Sequence, residues 1–167
     1  MTEVVTVTER GRELAFGFDE MNRYHGGGSP AGVATAFKVL QRAFSVLSPE
    51  APPLRRSVVI RTAFRGPGAR DGFEAVTRAV SDDRFAVDRT LLRSDLGRLR
   101  EDFVFAVNVG GEPVVLILRD GFVTDEFLDL ARTPDRTVEQ ETHLDELKKQ
   151  LAERLMATPA EQIYDVT

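Results

Sequence analysis

Few side chains in this sequence can do acid–base chemistry near neutral pH. The chain of 167 residues has two histidines, His25 and His143, and no cysteine. His25 lies in residues 24–30 (YHGGGSP), and an imidazole there can act as an acid, a base or a hydrogen-bond donor. Three consecutive glycines allow unusual backbone angles and close approach of a partner, but they are equally typical of a plain tight turn. His143 lies among acidic residues on a polar helical pattern, which indicates a solvated salt-bridging role.

A second glycine-rich segment, residues 65–70 (RGPGAR), precedes Asp71 and Glu74. The pattern predicts that Asp71 is the N-cap of a helix and that Glu74, three residues on, is its capping-box partner. Ser29 followed by Pro30 likewise predicts an N-cap followed by a proline in the first helical position. Capping is therefore the competing interpretation of all three polar residues.

The composition excludes several kinds of site. Without cysteine the chain cannot form disulfides, zinc ribbons or thiolate-bound iron–sulfur clusters, and it cannot use a thiol nucleophile. The net charge of −5 argues against nucleic acid as a partner. No apolar run is long enough to cross a bilayer and no signal peptide is recognisable, so we expect no membrane association and a cytoplasmic location.

The hydrophobic periodicity predicts an α+β fold. Residues 1–16 are expected to form an N-terminal arm or a short strand, and residues 123–167 to be mainly helical. Between them we predict helices and strands in an order that is not a repeating βαβ pattern. The predicted helices cover residues 18–24, 30–48, 71–80, 124–131 and 139–156, and the predicted strands cover residues 57–64, 85–92, 103–109 and 113–118. A last short turn is predicted at residues 158–164, and the chain is expected to form one domain.

Four segments in the same order resemble the FmdE family of formylmethanofuran dehydrogenase proteins. That family has a His-Gly-His-x-Cys-Pro-Gly motif before its first long helix, where this chain has residues 24–32. A family Cys-x-x-Asp segment corresponds to residues 68–74, and an Asp-Tyr-Gly-Lys segment corresponds to residues 90–98. A closing Pro-Glu-Glu-Leu-Phe type ending is similar to residues 158–164. The resemblance implies an α-β-α-β-β-β core with a mixed sheet, and a homodimer.

The same comparison of motifs indicates which family residues this chain lacks. The second family histidine corresponds to Gly27, the first cysteine to Ser29 and a later cysteine to about Gly68, while His25 and Asp71 remain. One imidazole and one carboxylate do not make a closed four-ligand metal site. We therefore expect no metal ligands and no cofactor, and we interpret the family site as degenerate.

The fold implied by the resemblance brings both glycine-rich segments together near helix starts, where free N–H groups favour anions. Our hypothesis is a pocket around His25 for a small anionic or polar molecule, to which Arg70, and also Arg65, would add positive charge. Its candidate catalytic residues are His25 and Asp71. Its candidate ligand-binding residues are Tyr24, Gly26, Gly27, Gly28, Ser29, Arg70 and Glu74.

Two other functions are compatible with these residues. The protein is an acid–base enzyme if His25, with Asp71 or Glu74, reaches a reacting atom of a substrate. It is a non-catalytic component of a redox complex if the implied family role holds without the metal.

Overall fold

The N-terminal residues form a β-hairpin. A computed structural model describes residues 3–167, so Met1 and Thr2 of the expected arm lie outside the described residues. Strand β1 (Val5–Glu9) pairs antiparallel with β2 (Arg12–Phe16). The two turn residues, Arg10 and Gly11, have φ angles of 52° and 78°, as the tight turns of two-residue hairpins require.

Five helices account for most of the remaining chain: α1 (Phe18–His25), α2 (Pro30–Leu47), α3 (Pro67–Thr77), α4 (Asp125–Ala131) and α5 (Val138–Ala157). Helix α2 is almost wholly buried along its apolar face, and it contacts α3, α5 and two strands of the main sheet. It is therefore the central helix of the fold. None of the helices within residues 3–167 combines the length and the apolar character needed to cross a membrane.

The main sheet has five strands: β3 (Val58–Thr62), β4 (Phe85–Val87), β5 (Val104–Val109), β6 (Val114–Leu118) and β7 (Tyr164–Val166). Their spatial order is β4-β3-β5-β6-β7. Only the β3–β4 pair is parallel, and the other pairs are antiparallel. The sheet is mixed and the element order α2-β3-α3-β4-β5-β6 is α-β-α-β-β-β, so the predicted α+β class is confirmed.

The hydrophobic core lies between the helices and one face of this sheet. Ile60 and Thr62 of β3 are buried while Arg61 between them is exposed, as expected for a strand with one covered face. Phe105 and Tyr164 are fully buried and their rings meet edge to face at 5.9 Å. The core thus joins the C-terminal residues to the centre of the sheet.

Two predicted elements were wrong. The strand expected over residues 85–92 ends at Val87, because the Asp88 carboxylate accepts a hydrogen bond of 3.0 Å from the N–H of Thr90 and turns the chain into a short 3-10 helix at Arg89–Leu91. The C-terminal turn expected over residues 158–164 contains only a 3-10 helix at Ala160–Gln162. Strand β7 follows it and pairs with β6.

Candidate functional site

His25 and Asp71 lie together although they are 46 positions apart in the chain. His25 ends α1, Asp71 lies within α3, and Nδ1 of the imidazole is 2.8 Å from Oδ2 of the carboxylate. The His25 side chain is only 9% exposed, whereas that of Asp71 is 33% exposed. The other ring nitrogen, Nε2, is buried and has no hydrogen-bond partner among residues 3–167. An imidazole oriented by a carboxylate, with its second nitrogen free, is the arrangement that acid–base catalysis uses.

The prediction that Asp71 is an N-cap was wrong. Helix α3 begins at Pro67 after Gly66, so Asp71 lies in its second turn. Proline is well suited to the first helical position because its missing N–H is not needed there. The helix therefore starts within the segment that the sequence pattern indicated as a loop, and the Asp71 carboxylate is left to contact His25.

Glu74 is not a capping-box partner at the start of α3, which corrects the second part of that prediction. Its carboxylate accepts hydrogen bonds from the N–H groups of Val80 and Ser81, at 2.9 and 3.1 Å, and from the Ser81 hydroxyl at 2.6 Å. Burial alone raises the pKa of Glu74, but the hydrogen bonds from Ser81 and Val80 outweigh it, so the net pKa is lowered. These bonds engage Glu74 in holding the chain just beyond the end of α3.

Glycines let the starts of α2 and α3 touch. A Cβ atom on Gly68 would lie 2.4 Å from the carbonyl oxygen of Ser29, and one on Gly32 would lie 2.8 Å from the nitrogen of Ala69. One turn further along α3, a Cβ on Gly72 would lie 2.7 Å from the Cβ of Ala36. Because residues four apart share a helix face, small residues on both helices form one close crossing.

The triple-glycine loop after α1 has a different role. Gly26 and Gly27 have φ angles of 99° and 83°, and the N–H of Gly26 closes α1 by donating to the carbonyls of Asn22 and Arg23. Gly28 lies over the imidazole, since a Cβ built there would be 4.0 Å from Nε2 of His25. The loop therefore shields the free nitrogen.

A cleft of about 490 Å³ lies where the starts of α2 and α3 meet. Phe64 and Phe103, whose ring centroids are 4.6 Å apart, supply aromatic lining, and Phe127 of α4 and Leu151 of α5 add further apolar surface. The backbone at the two helix starts lines the same space through Ser29, Ala31, Gly32, Gly66, Pro67 and Gly68. We call this cavity the cleft.

Charged side chains lie around the apolar part of the cleft. Arg98 is paired with Asp125 and Asp129, and Nζ of Lys148 donates to the carbonyl of Gly28 at 3.2 Å. Arg65 and Arg132 also line the cleft, and neither side chain has a hydrogen-bond or ion-pair partner among residues 3–167. The remaining charged residue is Asp102, which precedes β5.

A second groove, of about 630 Å³, lies between α1 and α5 and includes Gly27 and Gly28. Lys148 lines both the groove and the cleft. Asn22 lines the groove, and its Oδ1 atom is buried without a partner among the described residues.

The predicted ligand-binding residues are distributed among different surroundings. Ser29 lines the cleft, and Gly27 and Gly28 line the groove. Tyr24 and Arg70 have exposed side chains that line neither cavity. Sequence reasoning missed Asp102, Arg132 and Lys148, because each comes from an element far along the chain and carries no local motif.

No cluster of three or more His, Asp or Glu side chains within residues 3–167 is arranged to hold a metal ion. A comparison of the chain with models of known protein families gives no match, and a comparison with curated proteins gives no match either. The function has to be argued from the geometry of the cleft and of the His25–Asp71 pair.

Proposed function

We propose that the protein binds a small anionic molecule with an apolar body in the cleft. The observation that carries this proposal is that Arg65 and Arg132, which lack partners among residues 3–167, line an aromatic-walled cavity together with Lys148. A cation beside low-dielectric walls attracts an anion more strongly than the same cation in open water.

Two further features support an anion. The first turns of α2 and α3 both line the cleft, and free N–H groups and helix dipoles at such positions favour negative charge. The cavity volume of about 490 Å³ lies within the usual range for small-molecule sites, which are mostly apolar with a few placed polar groups. The proposal keeps the ligand class expected from the sequence but moves the ligand from His25 to the Ser29 side of the helix starts.

Titration calorimetry with 3-phenylpropanoate tests this function. We expect the wild-type protein to bind this carboxylate, and the neutral analogue 3-phenylpropanol to bind at least about tenfold more weakly, since a charge-assisted hydrogen bond contributes about 1.5–3 kcal/mol. Arg132→Gln and Arg65→Gln should each weaken carboxylate binding about fivefold or more.

Lys149→Gln is the matched control. Lys149 neighbours Lys148 on α5 but lines the second groove rather than the cleft, so its loss should leave carboxylate binding unchanged. Equal losses in all three variants would reduce the effect to general surface charge and would refute the cleft as the site.

A second candidate function is acid–base catalysis at His25. It is favoured by the 2.8 Å contact with Asp71 and by the free, buried Nε2 atom. In this role Nε2 takes a proton from a substrate, which has to reach the imidazole past the loop at Gly28.

Access to Nε2 can be measured with diethyl pyrocarbonate, which modifies imidazole nitrogens, followed by mass spectrometry. His143, whose side chain is 53% exposed, is the internal control. If His25 serves as a base, it should react within about tenfold of the rate of His143, because opening the loop must be frequent enough for turnover. Complete protection of His25 would argue against catalysis there.

We also propose that the chain is a divergent FmdE-like protein. The support is the α-β-α-β-β-β order of α2, β3, α3, β4, β5 and β6, together with the colinear motifs. The homodimer and the non-catalytic role in a redox complex that the resemblance implies are further proposals. Light scattering of the purified protein tests the dimer.

A further inference from the structure

We infer that the molecule bound in the cleft carries a hydrogen-bond donor, a hydroxyl or an ammonium group, beside its anionic group, and that Asp102 recognises this donor. The ligand class is therefore hydroxy or amino acids with an apolar side chain. This inference rests on the proposed function and names the substrate class of the same site.

The evidence is an acceptor without a donor at the cleft. Oδ1 of Asp102 is buried and no hydrogen-bond donor within residues 3–167 is aligned with it. Nη1 of Arg89 is 3.0 Å from this oxygen, but the hydrogen bond that Nη1 makes is to the carbonyl of Ala63. Arg89 thus holds Asp102 in place by charge while its oxygen stays free to accept a bond.

A buried acceptor that lost its water and gained no donor costs free energy, and buried polar groups in folded proteins are almost always satisfied. A ligand that donates to Asp102 removes this cost. A ligand that lacks a donor leaves it in place and brings a second negative charge near the Asp102 carboxylate. Sites built to hydrogen-bond a substrate group reject analogues without that group far more strongly than apolar pockets reject a missing methylene.

The other parts of the ligand follow from the rest of the cleft. Arg65, Arg132 and Lys148 provide the positive charge for an anionic group. The rings of Phe64 and Phe103 provide apolar surface for a side chain. An anion, a donor and an apolar group in one small molecule define the class stated above.

Three probes separate these features by titration calorimetry: 3-phenylpropanoate, 3-phenyllactate and phenylalanine. They share the phenyl ring and the carboxylate and differ at carbon 2, which bears hydrogen, hydroxyl or ammonium. The wild-type protein should bind 3-phenyllactate and phenylalanine at least about tenfold more tightly than 3-phenylpropanoate. Asp102→Asn should reduce this preference to less than about threefold without weakening 3-phenylpropanoate.

Asp95→Asn is the matched control, because Asp95 is exposed, pairs with Arg93 and does not line the cleft. It should retain the full preference. Circular dichroism checks that each variant is folded, and Asp102→Ser replaces Asp102→Asn if the latter does not fold.

The possible failures are distinguishable. Equal binding of all three probes to the wild-type protein would overturn this inference and leave the proposed anion site standing. A preference that survives the loss of the Asp102 carboxylate would overturn the role of Asp102. Absence of binding by every probe would overturn the inference and the proposed function together.

Discussion

The imidazole of His25 and the carboxylate of Asp71 connect the end of α1 to the second turn of α3 through a 2.8 Å contact between Nδ1 and Oδ2. Since a carboxylate accepts and does not donate, the contact requires the proton of a neutral imidazole to be on Nδ1. Nε2 then carries the free lone pair. This is the form that the acid–base function under the glycine loop would need.

The two histidines are expected to be opposite tautomers. In His143 it is Nε2 that lies 3.2 Å from a carboxylate oxygen, that of Glu126, so its neutral ring should carry the proton on Nε2. Long-range ¹H–¹⁵N correlation spectra at about pH 9, well above the ordinary imidazole pKa of about 6.5, distinguish the two forms. Asp71→Ala should release His25 from the Nδ1-protonated form and leave His143 unchanged. A wild-type His25 protonated on Nε2 would contradict the described contact.

Gly68→Ala should destabilise the protein by about 1–3 kcal/mol, because the new methyl group forces the backbones of α2 and α3 apart. A Cβ there would be 2.4 Å from the Ser29 oxygen. Gly111→Ala is the control, since a Cβ at Gly111 meets no atom within 4 Å, and it should change the free energy of unfolding by less than about 1 kcal/mol. Urea denaturation measures both values. Similar effects of the two substitutions would show that the helix crossing tolerates a side chain.

Thr137 and Ser29 precede helices but should differ in their contribution to stability. The Thr137 hydroxyl accepts a 3.1 Å bond from the N–H of Gln140, and the Gln140 side chain accepts one of 2.8 Å in return. The Ser29 side chain makes no capping bond. Thr137→Ala should therefore cost about 1 kcal/mol, and Ser29→Ala less than about 0.5 kcal/mol. Thermal and urea unfolding test this ranking, and the reverse order would contradict it.

The stabilising effect of Glu74 should depend on pH. Its folded-state pKa is lowered below the ordinary value of 4.5, so its contribution is present above that value and is lost as the pH falls through the folded pKa. The difference in unfolding free energy between the wild type and Glu74→Gln should thus be largest at neutral pH and shrink in acid. Glu112→Gln, at an exposed position, should show no such trend. A difference that grows in acid would contradict the lowered pKa.

Elements with a long, regular apolar pattern were predictable from the sequence. The repeat of Val33, Phe37, Leu40 and Phe44 indicated α2, and its observed bounds differ little from the predicted ones. Strand β7 was missed because three residues carry no recognisable alternation, and only its pairing with β6 makes it a strand. The start of α3 was misplaced because Gly68 is tolerated inside that helix for a reason that lies in α2.

The candidate site was predictable only where the chain order carried information. Colinear motifs pointed to His25 and Asp71, which the fold brings into contact. The charges of the cleft come from Asp102, Arg132 and Lys148, which belong to separate elements. No local spacing joins them, because the sheet and the helix crossing alone set their separation.

The contact between Gly32 and Gly68 also limits how this protein can vary. The two positions act as one unit of substitution: once a side chain at either position has separated the helices, a side chain at the other should add less than its separate cost. The backbone part of the cleft is therefore nearly invariant in shape. A lineage of such chains can alter what the cleft accepts mainly through side chains contributed by α4 and α5, such as Arg132 and Lys148.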